Sequence, residues 1–378
     1  MEFKQFKTIV FLAFVLLFAN KVFSIEKRNL IVDDGEVGFK LIPSSISNVD
    51  FKNLISLSAS SVYQTLLNGS GVCAGDYDGD GLVDLYFAGI ENNNKLYRNL
   101  GNFKFKDVTS DLLKCEGFKC TATGFIDING DAKMDLVVGT ISKGLLVFIN
   151  QNNGQFKELK LDNEIPDNCA IYGVSVTDLS QDGDLDMYIS TYRSNSFRYQ
   201  MFGMDRKNIK FSFKFENGKR VISSAKHKLT GKEYDSDRFY INSTGRILES
   251  GVPDYFIINE NGNRLILRES SQVLGVEYFK NIPRKNWGLG SIFADINNDY
   301  LDDLYVCNDL EESDYFIVSD GTRFRDGSML VKKNSPMFSM GIDVADINND
   351  QKSDVFICDM LNNNLSERRK QMHRYPYL

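Results

Sequence analysis

The hydrophobic residues of this chain fall into short runs separated by acidic, glycine-containing turns. Five runs are closely similar: Leu85-Tyr-Phe, Leu136-Val-Val, Met187-Tyr-Ile, Leu304-Tyr-Val and Val355-Phe-Ile. Short apolar runs that are rich in aromatic and β-branched residues and bounded by turn residues predict buried β-strands. The next residue is small in every copy, namely Ala88, Gly139, Ser190, Cys307 and Cys358. This pattern predicts strands that crowd together at one height, as around an axis, and it predicts buried thiols at Cys307 and Cys358. Cys115 and Cys120 are close enough in sequence either to form a disulfide or to stay free.

A nine-residue acidic loop precedes each of these predicted strands. The loops begin at Asp76, Asp127, Asp178, Asp295 and Asp346, so the successive offsets are 51, 51, 117 and 51 residues. A fixed period near fifty residues indicates an array of similar supersecondary units, each of which carries one loop.

The loops place oxygen-bearing side chains at positions 1, 3, 5 and 9, a spacing that lets them converge on one point. The residues at position 7 share no side-chain chemistry, so only their backbone carbonyls could serve as common ligands. Calcium takes six to eight oxygen ligands with tolerant geometry and suits this set. The predicted ligands are Asp76, Asp78, Asp80, Leu82 and Asp84 in loop 1; Asp127, Asn129, Asp131, Lys133 and Asp135 in loop 2; Asp178, Ser180, Asp182, Asp184 and Asp186 in loop 3; Asp295, Asn297, Asp299, Leu301 and Asp303 in loop 4; and Asp346, Asn348, Asp350, Lys352 and Asp354 in loop 5.

Neither an EF-hand nor a metal-free turn fits the loops as well. An EF-hand needs a bidentate Glu at position 12, where every copy has an apolar residue. Acidic surface turns without metal are the simplest alternative, but clustered carboxylates about 4 Å apart repel one another by roughly 1–4 kcal/mol per pair. Position 6 favours Gly if its φ is positive, and loops 2, 4 and 5 hold Ala132, Tyr300 and Gln351 there. We therefore expect up to five Ca²⁺ ions, with weaker sites in those three loops.

Each loop belongs to a longer repeating pattern. A small residue lies five positions before it, at Gly71, Ala122, Gly173, Gly290 and Gly341. A short strand, the loop, a second strand and a hairpin such as Leu96–Phe105 follow in order. Four short strands in about fifty residues are typical of a β-propeller blade. The sequence thus predicts an all-β protein, a β-propeller of four-stranded blades, with five loop-bearing repeats.

The remaining segments set the predicted domain boundaries. Residues 1–24, with an apolar run after Lys4 and Lys7, predict a secretory signal peptide, and an uncleaved anchor is the alternative. Residues 25–378 form the propeller domain, with no further transmembrane segment. The 117-residue interval contains an insertion at about 191–250, inside the third repeat. It has 13 Lys and Arg against 6 Asp and Glu, a net charge of +7, and is predicted to be a solvated decoration or, less favoured, a surface for an anionic partner.

The loop pattern resembles the FG-GAP repeats, also called VCBS-type repeats, of integrin α-chain propellers. Similarity is closest to bacterial secreted relatives of cartilage acidic protein, through stretches such as Leu96-Tyr-Arg-Asn-Leu-Gly101, Trp287-Gly-Leu-Gly290 and Asp359-Met-Leu361. The resemblance implies a calcium-bound propeller, usually seven-bladed, that serves in adhesion or protein interaction. Because the chain ends after the fifth loop, an incomplete seven-bladed propeller and a short closed one both remain open.

The functional prediction is an exported interaction module that is secreted, periplasmic or on the cell surface. Its partner would be an extracellular protein or glycan, with calcium structural, and not a nucleic acid. The alternative is a propeller-based hydrolase or lyase that uses carboxylates on extracellular polysaccharide. The chain has only two His, His227 and His373, and no nucleophile elbow or metalloprotease motif, so catalysis is disfavoured. A third hypothesis is a fragment that cannot fold alone.

Overall fold

The computed structural model describes residues 41–62, 64–152, 154–194, 208–242, 244–275, 285–309, 313–321, 323–328, 336, 338–360, 364 and 366. The predicted signal peptide, residues 1–24, lies outside these ranges. All described strands belong to one compact unit, Pro43–Leu378.

The described strands form four four-stranded antiparallel sheets and several smaller ones, so the predicted all-β class of propeller-like blades is confirmed. Blade 1 contains β1 (Val72–Gly75), β2 (Asp84–Phe87), β3 (Lys95–Asn99) and β4 (Phe105–Asp107). Blade 2 contains β5 (Cys120–Ile126), β6 (Asp135–Thr140), β7 (Leu145–Asn150) and β8 (Phe156–Leu159). Blade 3 contains β9 (Cys169–Thr177), β10 (Asp186–Arg193), β16 (Tyr255–Glu260) and β17 (Arg264–Glu269). Blade 4 contains β18 (Gly288–Ala294), β19 (Asp303–Asn308), β20 (Tyr315–Ser319) and β21 (Phe324–Asp326), and blade 5 contains β22 (Ser339–Ala345) and β23 (Asp354–Asp359).

The described helices are short. They are α1 (Ser44–Ser47), α2 (Leu57–Val62) and α3 (Ser270–Val273), with 3₁₀ turns at Gln64–Asn68 and Ser236–Arg238. Within the described residues, no helix combines the length and the apolar character needed to span a bilayer. The segment before β1 packs on blade 1, where Phe51 stacks on Phe87 and Tyr97 donates a hydrogen bond to Asp50.

The small residues of the repeat lie opposite one another in the inner hairpin of each blade. Ala122 pairs with Gly139, Gly173 with Ser190, Gly290 with Cys307, and Gly341 with Cys358. In these four blades a β-bulge or similar register shift lies directly beside the small pair, a feature that bends and twists a strand. The repeat of small residues therefore marks a bend that recurs in successive blades.

The same small residues allow neighbouring blades to approach closely. A Cβ added at Gly71 would lie 2.9 Å from the backbone nitrogen of Thr123, and one at Gly173 would lie 3.0 Å from the carbonyl oxygen of Leu289. The inner strands β1, β5, β9, β18 and β22 pack against one another in this order. The predicted crowding of strands is thus present between the inner strands of consecutive blades.

The hydrophobic core lies between blades, as layers of side chains from facing sheets. Val137, Ile171, Ile189 and Ile257 are fully buried in the layer between blades 2 and 3. Equivalent layers form around Tyr86 and Val138 between blades 1 and 2, and around Phe256, Val306 and Ile317 between blades 3 and 4. Burial of one such aliphatic side chain contributes roughly 1.5–3 kcal/mol.

The segment between β10 and β16 forms two small sheets of its own. One contains β11 (Ile209–Glu216), β12 (Lys219–His227) and β13 (Glu233–Tyr234), and the other β14 (Phe239–Ile241) and β15 (Ile247–Glu249). They share a core that includes Ile222 and Phe239, and a buried ion pair between Arg238 and Glu249. Most of the described lysines in the segment between β10 and β16 are exposed.

Blade 5 has two described strands where the other blades have four. Its second strand, β23, is half-buried at best, and Phe356 is 59% exposed. The sequence pattern predicted buried thiols at both Cys307 and Cys358. Cys307 is buried, but Cys358 is exposed, because no third strand covers β23 among the described residues. Cys115 and Cys120, which the spacing allowed to pair, are both free and buried.

A buried carboxylate ties the inner and outer hairpins of blade 3 together. Asp254 precedes β16 and accepts hydrogen bonds from the Tyr188 hydroxyl, the Asn286 side-chain amide and the Thr191 backbone N–H. Burial raises the pKa of Asp254 to about 6, despite these donors. Asp314 has the same role in blade 4, where it accepts from Tyr305, Ser339 and the backbone of Asn308.

Replacing Asp254 by Asn is expected to remove a pH-dependent part of the stability. Because the pKa of Asp254 is about 6 in the fold, above the ordinary value of 3.8, the folded state binds the proton more tightly than the unfolded chain. The stabilisation is complete below about pH 4 and is lost as the pH rises through 6. Urea unfolding at several pH values should show the wild-type free energy of unfolding falling by up to about 3 kcal/mol relative to the variant. A difference that is constant with pH would contradict this.

Candidate metal centre

The five acidic loops share one backbone conformation, although their sequences differ. The position 1 carboxylate accepts hydrogen bonds from the backbone N–H groups of positions 5 and 6 in every loop. In loop 1, Asp76 Oδ1 lies 3.1 Å from the nitrogen of Asp80 and Oδ2 lies 2.8 Å from that of Gly81. Asp127, Asp178, Asp295 and Asp346 make the same pair of bonds. Position 1 therefore organises the turn and keeps lone pairs available for a cation.

Positions 4 and 6 have positive φ angles in all five loops. Position 6 reaches +83° at Gly81, and also +62° at Ala132, +68° at Tyr300 and +66° at Gln351. L-residues other than Gly are uncommon there, and they cost free energy. The absence of Gly at position 6 of loops 2, 4 and 5 thus leaves the backbone conformation of the loop unchanged but adds strain.

The position 9 carboxylate is the structural anchor of each loop. Asp84, Asp135, Asp186 and Asp303 are at most 1% exposed. One oxygen accepts the N–H of position 2, as between Asp84 and Tyr77 at 3.2 Å. The other accepts an N–H from the third strand, as between Asp84 and Asn99 at 2.7 Å. Asp354 of loop 5 keeps the first type of bond, to Ile347, and is more exposed.

Loop 1 gathers three carboxylates. Asp76, Asp78 and Asp84 each offer an oxygen, and these three oxygens lie within 4.8 Å of one another. In the part of the chain that the structure describes, no other group of three or more Asp, Glu, His or Cys side chains meets this limit. Asp78 Oδ1 is buried and has no hydrogen-bond partner. A buried oxygen without a donor, beside two other carboxylates, is the arrangement that a cation would complete.

The fourth carboxylate of loop 1 faces an arginine. Arg98, on β3, places Nε 2.6 Å from Asp78 Oδ2 and a terminal nitrogen 2.9 Å from Asp80 Oδ2. The hydrogen bond from Arg98 lowers the pKa of Asp80. Burial, in contrast, raises the pKa of Asp84 to about 6, and the neighbouring Asp78 and Asp80 add to the rise. The loop thus contains carboxylates in two different electrostatic settings.

The other loops lack a carboxylate at position 3, where each has an amide or a hydroxyl, although loop 3 has a fourth aspartate at position 7, Asp184. In loop 4, Asn297 Oδ1 is buried without a partner, as Asp78 Oδ1 is in loop 1. In loops 2 and 5, the Oδ1 atoms of Asn129 and Asn348 accept the backbone N–H of position 5. Ser180 of loop 3 is exposed. The donor sets of loops 1 and 4 therefore fit a calcium ion best.

The predicted position 7 residues lie at the end of each turn. Their backbone N–H groups donate to the position 5 carboxylates, which places Leu82, Lys133, Asp184, Leu301 and Lys352 beside Asp80, Asp131, Asp182, Asp299 and Asp350. The side chain of Lys133 also pairs with Asp131 at 2.7 Å and lowers the pKa of that carboxyl. The loops thus place all 25 predicted residues in one repeated turn, with three side chains converging in loop 1.

Each of the first two loops is also held by the next blade. The side-chain amide of Asn150, at the end of β7, donates to the carbonyl of Tyr77 in loop 1 at 2.7 Å. Asn259, at the end of β16, donates to the carbonyl of Ile128 in loop 2 at 2.7 Å. The following turns pack on the same loops, since a Cβ on Gly262 would lie 2.7 Å from Cα of Asn129. Loops 1 and 2 therefore lie at the junctions between consecutive blades.

Sequence reasoning did not identify Arg98, Asn150 or Asn259 as parts of the loop environment. A signal for the asparagines was present, because Asn99 and Asn150 both lie fifteen residues after a position 9 aspartate. The contact of Asn259 could not be deduced from spacing, since the insertion separates it from loop 3 by more than sixty residues.

Replacing Asn150 by Ala should weaken the junction between blades 1 and 2. The change leaves the buried carbonyl of Tyr77 without its donor, which is expected to cost about 1–3 kcal/mol of unfolding free energy. Asn99→Ala is the matched control, because the Asn99 amide bonds only within its own blade, to Val83. Urea titration of both variants checks the prediction. Equal losses would show that the bond between blades contributes nothing.

A family model for an FG-GAP-like repeat matches residues 76–138 and 127–189. The two matches overlap at loop 2 and together contain loops 1, 2 and 3. Residues 76–189 therefore contain FG-GAP-like repeats, as the loop pattern predicted. No curated protein matches the sequence.

Several solved structures show a distant likeness. One is an Agrocybe aegerita lectin described for specific recognition of non-reducing terminal N-acetylglucosamine, with 14% identity over 66% of this chain and 77% of that chain, and a TM-score of 0.23. Another is the V. cholerae biofilm matrix protein Bap1, with 10% identity, coverage of 75% and 73%, and a TM-score of 0.27. A third is the Aleuria aurantia lectin in complex with α-methyl-L-fucoside, with 9% identity, coverage of 77% and 95%, and a TM-score of 0.26. Likeness at these scores does not bear on ligand or partner.

Proposed function

We propose that this FG-GAP repeat protein is an exported, calcium-stabilised β-propeller that serves as an interaction module for an extracellular protein or glycan. Calcium is structural in this proposal, and the protein is not an enzyme. Export rests on the predicted signal peptide in residues 1–24. A closer relation to bacterial relatives of cartilage acidic protein belongs to the same proposal and rests on the sequence stretches that carry it.

The observation that carries the calcium proposal is the carboxylate cluster of loop 1. Three carboxylates with oxygens within 4.8 Å of one another repel unless a cation lies between them. Asp76, Asp78 and Asp84 would hold the ion, with Asp80 and the carbonyl of Leu82 as further ligands. These are the hard oxygen donors that calcium prefers. The equivalent residues of loops 2–5 would hold further ions, and loop 5 most weakly, because its position 1 and position 5 aspartates are exposed.

The position of the loops explains why a bound ion would stabilise the whole array. In blades 1–4 the position 9 aspartate ties the loop to the third strand of its own blade. Loops 1 and 2 also contact the next blade through Asn150 and Asn259. An ion that fixes such a loop therefore fixes a blade and its neighbour together. Calcium binding is expected to be coupled to folding because the ligands converge only in the folded chain.

A polar groove supports the interaction role. It lies along the outer strands of blade 2, has a volume of about 450 Å³, and is lined mainly by residues 143–146 and 158–165. Its lining includes Lys143, Glu158, Lys160 and Glu164. Lysines and carboxylates around an open groove can hydrogen-bond sugar hydroxyls or a polar peptide.

Calcium is expected to raise the melting temperature of residues 25–378, and EDTA to lower it. Each site that is filled to 100 times its Kd adds about 2.7 kcal/mol to the free energy of unfolding. Asp78→Asn should reduce the calcium-dependent rise, because it removes one negative charge from the cluster and leaves only an amide oxygen at position 3, as in loops 2, 4 and 5. Asp111→Asn, which changes an exposed acid away from the loops, is the control for lost charge. Differential scanning calorimetry with calcium or EDTA measures the effect.

Identical melting in calcium and EDTA would overturn the calcium proposal. The interaction role is tested separately by glycan microarray and by extracellular-protein binding assays with the calcium-loaded protein. Reproducible binding that is weakened by Lys160→Gln or Glu164→Gln in the groove supports it. Turnover of a polysaccharide by the pure protein would contradict the non-enzymatic assignment.

A further inference from the structure

Loop 1 differs from the other loops at one position outside the nonapeptide. In each of the four complete blades, one residue of the third strand donates its backbone N–H to the position 9 aspartate, and the residue directly before it is Arg98, Ile149, Ile258 or Val318. The donating residue is Asn99, Asn150 or Asn259 in blades 1–3 and Ser319 in blade 4. In blades 1–3 the shared register therefore places this position beside the loop, and of these four blades only blade 1 has a cation there.

The loop with the extra cation is also the loop with the extra carboxylate. Loop 1 has Asp at positions 1, 3, 5 and 9, whereas loops 2, 4 and 5 have Asn at position 3. Arg98 contacts the position 3 carboxylate, Asp78, and the position 5 carboxylate, Asp80. Four negative charges and one positive charge leave loop 1 with a net charge of −3. Loop 2 has three ligand aspartates, and its Lys133 pairs with Asp131, so the same count leaves loop 2 with a net charge of −2.

The Arg98 side chain, which contacts Asp78 and Asp80, is partly exposed to solvent. The Arg98 side chain is 42% exposed, whereas that of Asp78 is only 13% exposed. Because the Arg98 side chain is partly exposed, its ion pair with Asp78 is partly screened by solvent and can be exchanged for another contact. The ligands stay fixed, because Asp76 and Asp84 are held by backbone N–H groups.

We propose that Arg98 is an exchangeable internal counter-cation of loop 1, which holds Asp78 and Asp80 when calcium is scarce and is displaced when a divalent cation binds. The inference rests on the proposed calcium function. At low calcium, the guanidinium reduces repulsion among the carboxylates and keeps the turn folded. At high calcium, both carboxylates turn to the ion and Arg98 moves into solvent. Arg98 thus makes loop 1 respond at a higher calcium concentration than its four carboxylates alone would set.

An exchangeable cation and a purely structural ion pair predict different results for Arg98→Gln. If Arg98 competes with calcium, the variant is less stable than wild type in EDTA but binds calcium to loop 1 roughly tenfold more tightly, since a neighbouring positive charge has been removed. If the ion pair is only structural, the variant is destabilised to a similar extent with and without calcium. The dependence of the melting-temperature difference on calcium therefore distinguishes the two cases.

The experiment compares wild type, Arg98→Gln and Lys95→Gln in calorimetric melts at calcium concentrations from EDTA to saturation. Lys95 lies on the same strand and pairs with Asp107, away from the loop, so its variant controls for lost positive charge. We expect the Arg98→Gln melting temperature to lie below wild type in EDTA and to reach its plateau at roughly tenfold lower calcium, as expected from the lost charge. The Lys95→Gln midpoint should match wild type.

A local readout assigns the change to loop 1. Tyr77, at position 2, lies between the ligands Asp76 and Asp78 in sequence, and its backbone N–H donates to Asp84 at 3.2 Å. It can therefore sensitise the luminescence of Tb³⁺ bound in loop 1. The part of the signal lost in Tyr77→Phe reports this loop. In Arg98→Gln, this part of the luminescence should reach half of its maximum at an about tenfold lower Tb³⁺ concentration, because a neighbouring positive charge has been removed.

The possible outcomes separate this inference from the proposed function. Unchanged midpoints in Arg98→Gln, with wild type still stabilised by calcium, would overturn the role of Arg98 and leave calcium binding intact. If calcium does not change the melting temperature of the wild-type protein and Tb³⁺ gives no sensitised luminescence with it, the proposed function itself is overturned. If Arg98→Gln fails to fold in EDTA, Arg98→Lys is compared with wild type at each calcium concentration. Because lysine keeps the positive charge, the calcium midpoint of this variant should lie near that of wild type. A midpoint shifted to much lower calcium in Arg98→Lys would contradict the role of the charge.

Discussion

The structure depends on a buried carboxylate that receives backbone N–H groups from both sides. The position 9 aspartates, such as Asp84 and Asp135, accept one bond from the acidic loop and one from the third strand. Burial raises the pKa of both carboxyls, so the bonds compensate only part of the desolvation. This anchor ties the loop to the strands, and the position 1 aspartate organises the turn itself, as Asp76 does by accepting from the N–H groups of Asp80 and Gly81. The acidic repeat is therefore first a device that joins strands.

The same anchor creates an electrostatic demand. Once position 9 is fixed, positions 1 and 3 lie beside it, and in loop 1 all three are aspartates. The repulsion between these carboxylates is reduced in three ways. Arg98 pairs with loop 1, and Lys133 pairs with Asp131 in loop 2. Loops 2, 4 and 5 have Asn in place of Asp at position 3. Differences in charge among the loops, on one shared backbone, are what would give the sites different affinities for a cation.

The sequence predicted the fold well where a local signal was repeated. The apolar runs, the small residues at Gly71 and Gly173 and the period of about fifty residues were sufficient for the inner hairpins, because each signal is local and recurs. Contacts between blades were not predictable in the same way. Asn259 reaches a carbonyl 131 residues away, and no pattern along the chain encodes that distance. The burial of Cys358 was wrongly predicted, because it was inferred from the small position that the repeats share, and no third strand covers β23 among the described residues.

The contacts between blades also determine how far each loop can be ordered by protein alone. Loops 1 and 2 are held by a carbonyl contact from Asn150 and Asn259, and by a glycine turn that packs on them. At the corresponding place for loop 3, blade 4 has Ser319, which keeps the bond to its own Asp303. Order imposed by neighbouring blades therefore decreases from loop 1 toward loop 5, where position 1 is exposed. If loop 5 binds calcium as proposed, the ion should increase the order of this loop most, even though its exposed site would hold the ion most weakly.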